Sequence, residues 1–142
     1  MRPISLLAAA ALAVASLAPL PLVAPPVQAR TAACPIHVPA AGTAERKAIL
    51  DALRPKVQAM VGKPVEFVVQ SLQVACGYSR ALVLPQEKGG HGDHYEALDV
   101  LMIKRNGKWT FGMIAASEEG NDPAADQFKA RFPHAPESLL YL

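Results

Sequence analysis

The chain has 142 residues, a length that suits one small domain, with a hydrophobic fraction of 51%, to which the N-terminal apolar run contributes much, and a formal net charge of +2. Its basic residues are scattered (Arg46, Lys63, Arg80, Lys104, Lys129), with no basic stripe interleaved with aromatics. Nucleic acid is therefore not an expected partner.

The first element is an address. Arg2 precedes an apolar run from Ile4 to Ala18, followed by Pro19, Pro21, Pro25 and Pro26 and then Val27-Gln28-Ala29, the small-residue spacing that a signal peptidase reads. Residues 1–29 are read as a signal peptide cleaved after Ala29. The run is shorter than the roughly 20 apolar residues a membrane span needs, so no stable membrane insertion is expected after cleavage. Thr31-Ala32-Ala33-Cys34 lacks the leucine usually placed three residues before a lipidated cysteine. The expected location is periplasmic or secreted. Arg2 is the leader's one charge, which leaves the remainder near +1.

In an oxidising compartment the two cysteines, Cys34 and Cys76, are expected to form a disulfide. Closing a loop of that length is worth about 4 kcal/mol on the chain-entropy model. A redox couple usually spaces its cysteines two residues apart, and this pair does not.

Residues 30–42, rich in Pro and Ala and without periodicity, are expected to form an extended arm, and 43–142 a single domain. Thr43 is a plausible N-cap and Glu45 lies in the first turn, where the helix dipole favours an acid. Ile49, Leu53, Val57, Met60 and Val61 then recur at helical spacing as far as Gly62. Pro55 inside this pattern predicts a kink or two short helices, and the continuous stripe favours the kink.

From Pro64 the period shortens. Val65 to Val74 reads as a long strand, and Cys76-Gly77 as a tight turn into a second strand, Tyr78 to Leu84, stopped by Pro85. Gln86 to Asp93 is a polar, Gly-rich loop. Tyr95 to Arg105 and Lys108 to Ala116 then flank Asn106-Gly107, the strongest short hairpin signal. That turn predicts a register in which Lys104 faces Trp109, Met102 faces Phe111, Val100 faces Met113 and Leu98 faces Ala115, making one side of the ribbon nearly all apolar. The other side pairs Ile103 with Thr110, Leu101 with Gly112 and Asp99 with Ile114. This side is expected to be covered by the C-terminal segment or by another subunit. Asp122 and Pro123 read as the N-cap and first residue of a short helix to about Arg131, ahead of the apolar Leu139-Leu140-Tyr141-Leu142. Trp109, Phe111 and Phe67 are expected in the core, with Phe128, Phe132 and Tyr141 available to close the open side or to meet a partner.

These elements predict an α+β domain: an N-terminal helix packed on a curved four-stranded antiparallel sheet of two hairpins, with a short C-terminal helix. The order across residues 43–116 resembles the cystatin-like and ketosteroid-isomerase-like cones. More narrowly, Arg46 to Pro55, Pro64-Val65-Glu66-Phe67-Val68-Val69 and Gly107-Lys108-Trp109 resemble a group of small, uncharacterised bacterial exported proteins. That group brings no known activity with it. Cystatins block cysteine proteases with a Gln-Val-Val-x-Gly tip, and the nearest strings here, Val68-Val69-Gln70 and Gln73-Val74-Ala75-Cys76-Gly77, differ from it.

The densest polar cluster is His91-Gly92-Asp93-His94-Tyr95-Glu96. His91, Asp93 and His94 are the candidate metal ligands, but a site needs three or four converging groups, and a solvated loop is the plainer reading. No metal or other cofactor is expected. No nucleophile motif or phosphate-cradling loop is present. The ketosteroid-isomerase-like resemblance makes Asp99 the candidate acid or base, with Tyr95 and Glu96 at the strand mouth. The expected function is a non-catalytic, exported binding domain engaging a protein or peptide of the cell envelope, with an inhibitor or immunity-type protein as one form. A homodimer through the open sheet face is a further possibility. The alternative is a small-molecule-binding or catalytic cone centred on Asp99.

Overall fold

A computed structural model describes residues 34–90, 95–116 and 123–141. Helix α1 (Ala44–Val61) is followed by strands β1 (Val65–Ala75), β2 (Tyr78–Glu87), β3 (Leu98–Arg105) and β4 (Lys108–Ile114), then by helices α2 (Ala124–Arg131) and α3 (Glu137–Leu140). The strands form one antiparallel sheet in the order β1-β2-β3-β4. Two hairpins side by side, with a helix before them and short helices after, give the expected α+β layout. His91, Asp93 and His94, and the proposed cap Asp122, lie outside the described residues.

Thr43 caps α1 through its side-chain oxygen, which accepts from the Arg46 N–H, and Gly62 ends the helix at φ 78° with its N–H bonded to the Gln58 carbonyl. The helix runs unbroken through Pro55, which removes the two-helix alternative. Ile49, Leu53 and Val57 are wholly buried, together with Val83, Val100 and Met102 of the sheet, and Trp109 packs among them. The main-chain approach of α1 is closest to the outer strands β4 and β1, so the sheet curls around the helix. Ser79, opposite Val74 and Met102, is buried in this layer with its hydroxyl unpartnered, a polar group carried at a cost.

Both hairpin turns hold two consecutive residues at positive φ: Cys76 (50°) with Gly77 (75°), and Asn106 (50°) with Gly107 (76°). These are the mirror-image turns whose twist matches that of the flanking strands. The two tips lie at the same end of the sheet, where Lys104 N–H donates to the Gly77 carbonyl at 2.7 Å.

Several expectations are corrected. Strand β2 continues through Pro85 to Glu87, because β3 pairs with β2 only as far as Val83. Pro85 therefore sits where the strand has β1 alone as a neighbour, and its missing N–H is tolerated there. Strand β3 starts at Leu98 rather than Tyr95, β4 stops at Ile114 rather than Ala116, and Pro123 stands at the cap of α2 rather than inside it.

The largest correction is in register. Pairing follows the predicted pattern from Arg105↔Lys108 to Met102↔Phe111, then shifts, so that Leu101 faces Met113 and Val100 faces Ile114. Gly112 is the extra residue of a β-bulge. A Cβ there would lie 2.5 Å from the Leu101 carbonyl oxygen, so only glycine fits. Because side chains alternate along a strand, one inserted residue exchanges the faces beyond it. Ile114 joins the α1 layer, while Met113 and Ala115 join Leu101 on the other side.

That other side is closed by the chain's own C-terminal segment. Phe128, Leu139 and Leu140 are wholly buried against Leu101 and Ala75, with Phe132 packed alongside. Tyr141, 55% exposed, donates its hydroxyl to Asp126 at 2.7 Å, and this hydrogen bond holds its pKa above the ordinary tyrosine value. Of the two coverings expected, the C-terminal segment occupies the face around Leu101.

Cys34 and Cys76 form the disulfide, with their Cα atoms 5.4 Å apart. It fastens the arm to the tip of the β1–β2 hairpin. Beyond it, His37 exchanges two backbone hydrogen bonds with Val74, at 3.0 and 2.9 Å, and its ring meets Glu45 at 2.8 Å.

Two predictions follow from the turns and the bulge. Replacing both cysteines by serine lowers the unfolding free energy by about 4 kcal/mol in urea titration. Combining Cys34→Ser with Cys76→Asn recovers about 0.5–1 kcal/mol of that, since Asn tolerates the left-handed conformation better than Ser. Gly112→Ala costs about 2 kcal/mol, the size of a core overpacking defect, and a melting point equal to that of the parent would contradict the bulge.

Candidate functional site

Asp99 lies on the sheet face covered by α2 and α3, and it is not a free carboxylate. Arg80, diagonal to it on β2, where Leu82 is the residue directly opposite, donates from Nε to Oδ1 at 3.0 Å and from Nη2 to Oδ2 at 2.6 Å. The remaining guanidinium nitrogen, Nη1, donates to the Leu140 carbonyl. The guanidinium carbon also stands 5.5 Å from the centre of the Phe128 ring. Side-chain exposure is 18% for Arg80 and 21% for Asp99. A planar fork matched to a carboxylate in so sheltered a place is a strong, directional tie. It joins β2, β3, α2 and α3 at one point.

Tyr95 and Glu96 are drawn to different surroundings. The Tyr95 hydroxyl donates to Glu87 at 3.2 Å, and Glu87 also accepts from Lys63 at 2.7 Å. The Glu87 hydrogen bond raises the Lys63 pKa. Glu96 is exposed. Two clefts flank the segment that carries these residues. One, of about 450 Å³, opens on the Asp99 face and is lined by Leu82, Glu96, Asp99, Ala115 and Ala124 among others. The second, of about 300 Å³, lies beside α1 between Val57, Met60, Pro85, Tyr95 and Leu98. Apart from the committed Asp99, the larger cleft offers alanine and leucine walls with one acid at its mouth. No group of three His, Cys, Asp or Glu side chains able to hold a metal occurs among the described residues.

A third cleft, of about 240 Å³, lies at the start of α1, where Arg46, Lys47 and Arg54 surround Asp51. Hydrogen bonds from Lys47 and then Arg54 hold the Asp51 pKa below its ordinary value. Arg46 is spent on the Pro39 carbonyl at 3.3 Å. Lys47 and Arg54 share the one carboxylate, so this cleft keeps a net positive charge.

The sheet edges offer more. In a hairpin closed by a two-residue turn, the flanking pair exchanges both hydrogen bonds and every second pair does so thereafter. Arg105↔Lys108 and Ile103↔Thr110 are thus the bonded pairs, and the N–H and C=O groups of Trp109 and Phe111 point away from the sheet. None of those groups has a backbone partner among the described residues. At the opposite edge the equivalent outward groups of Val74 are taken by His37. One edge is capped where the arm crosses it; among the described residues the other is open.

Cations surround the open edge. Lys104 Nζ is 5.5 Å from the Trp109 ring centre, and Lys56 Nζ of α1 is 5.5 Å from that of Phe111. Arg105 and Lys108 flank the turn and are exposed. The Lys56–Phe111 contact was hidden in the sequence, because Lys56 lies on the helix, 55 positions before Phe111.

Comparison with protein-family models, with curated proteins and with solved structures yields no match. No helix among the described residues is long and apolar enough to cross a membrane.

Arg80→Met is expected to lower stability by about 2–3 kcal/mol, leaving Asp99 sheltered and unpaired. It should also speed amide exchange in α2 and α3 more than in α1. Adding Asp99→Leu to that variant should restore part of the loss, because the orphaned charge is gone. A double variant as unstable as the sum of its parts would show that the two side chains do not act as a pair.

Proposed function

We propose that this chain is an exported, non-catalytic binding domain of the cell envelope that engages a protein or peptide partner. The disulfide is compatible with a location outside the cytoplasm, and the leader-like N-terminal sequence supports export. The observation that carries the binding reading is the open β4 edge. Backbone donors and acceptors at Trp109 and Phe111, uncovered and already spaced for a ladder, are what an incoming strand requires. Three carboxylates elsewhere are committed within the chain: Asp99 to Arg80, Asp51 to Lys47 and Arg54, and Glu87 to Lys63 and Tyr95.

The alternative, a small-molecule cone centred on Asp99, has the volume of the 450 Å³ cleft in its favour. Against it stands the Arg80 fork, which occupies both oxygens of the carboxylate that would do the work.

A photo-crosslinking residue placed at Thr110, exposed on β4, is the direct test in cells that export the full chain. Irradiation is expected to yield a discrete polypeptide adduct from position 110 and little from the same probe at Glu66, which is exposed on β1. Equal yields at the two positions, or none at 110, would overturn the assignment of the binding edge.

A further inference from the structure

We infer that the β4 edge selects an extended segment carrying carboxylates at alternate positions, an acidic peptide strand. This rests on the binding reading above and names the chemistry of the partner. Five cations of the described domain have carboxylate partners: Lys47 and Arg54 on Asp51, Lys63 on Glu87, Arg80 on Asp99, and Lys129 on Glu137. Seven have none among the described residues; Arg46, Lys88 and Arg131 lie apart from one another, whereas Lys56, Lys104, Arg105 and Lys108 gather about β4. On α1 the positions three and four residues before and after Lys56 are Ala52, Leu53, Ala59 and Met60, so no acid of its own helix reaches it. The largest group of unneutralised cations thus surrounds the strand whose backbone is unpaired.

The geometry fixes the spacing. Trp109 and Phe111 are two residues apart, so both rings lie on the face covered by α1, with Lys104 and Lys56 above them. A strand added antiparallel to β4 places the residues opposite Trp109 and Phe111 on that same face. Those residues are likewise two apart, and each side chain meets one ammonium group. Glutamate at both positions brings a carboxylate beside the Trp109 and Phe111 rings, on the face where Lys104 of β3 and Lys56 of α1 lie over them, while the intervening residue faces the Thr110 side. The bulge at Gly112 breaks the ladder beyond Phe111, so recognition is confined to the basic end of the strand. Arg105 and Lys108 at the turn extend the positive field over the approach.

The test uses the full chain, isolated from the compartment to which it is exported with its disulfide intact. It is titrated with an eight-residue synthetic peptide alternating threonine and glutamate, following the emission of Trp109, the one tryptophan. A saturable change is expected, with slowed amide exchange at Trp109 and Phe111. Affinity should fall with added salt and drop about tenfold or more when lysine replaces each glutamate of the peptide. Lys56→Glu combined with Lys104→Glu should reverse the preference toward the lysine peptide. A glutamate peptide N-methylated on alternate amides keeps its charge but cannot complete the ladder, and it should lose binding without any change to the protein. Equal binding of the N-methylated peptide would overturn strand addition. An equal response to phosphatidylglycerol vesicles would make the patch a lipid surface instead, and concentration-dependent self-association that excludes the peptide would make it a dimer edge. Adduct formation at Thr110 with no preference between the two peptides would overturn the acidic partner alone, leaving the binding reading in place.

Discussion

A single guanidinium organises the far side of this fold. Arg80 stands in the second strand, and its three nitrogens reach the carboxylate of the third strand and the main chain of the last helix, while its plane lies near Phe128. A helix of four residues has almost no stability of its own. Its leucines lie against the sheet because burial drives them there and because a charged donor fixes where the main chain must pass. Remove that donor and the apolar contacts remain, with the exposed Tyr141–Asp126 and Lys129–Glu137 contacts tying the two helices to each other but not to the sheet. The position of Asp99 follows from the same tie: a carboxylate in mid-strand, suggestive of chemistry when read alone, is the counter-ion that lets an arginine be sheltered.

What was legible in the sequence was whatever depends on local period and on turn chemistry. The spacing of Ile49, Leu53 and Val57, the cap at Thr43, the stop at Gly62 and the Asn106-Gly107 turn each have a near-neighbour physical cause, and each appears where expected. Gly112 was not legible. A glycine inside a strand signals a bulge only weakly, and its effect, the exchange of Met113 for Ile114 between the two faces, depends on how β3 and β4 are aligned. The two-sided core was only half visible for the same reason. Read without the bulge, the mixed face of the ribbon looked open. With it, Met113 and Ala115 join Leu101 to make a second apolar surface. Of the cations about β4, Lys104 opposite Trp109 was legible from the turn, whereas Lys56 over Phe111 was not, since that contact joins a helix residue to a strand residue 55 positions away.

The outer strands show opposite solutions to one problem. Any sheet with free sides presents unpaired amides, and natural proteins blunt them with bulges, charge or covering segments. On β1 the arm does the covering at Val74, and a bulge at Gln70 interrupts the rest. On β4 the bulge at Gly112 limits the stretch of regular ladder, and lysines stand beside it, the kind of charge that blunts an edge against a like surface.

The shared location of the two turns has a mechanical consequence. Cys76 belongs to one ribbon and is anchored from outside by Cys34, while the neighbouring Gly77 carbonyl holds Lys104 of the other ribbon. The sulfur link therefore stiffens both ribbons at one extremity, whereas Arg80 and its helices brace the middle. Thiol reagents acting on that bond would soften the extremity first, and the loosening would reach Lys104 through one amide before it disturbed the interior.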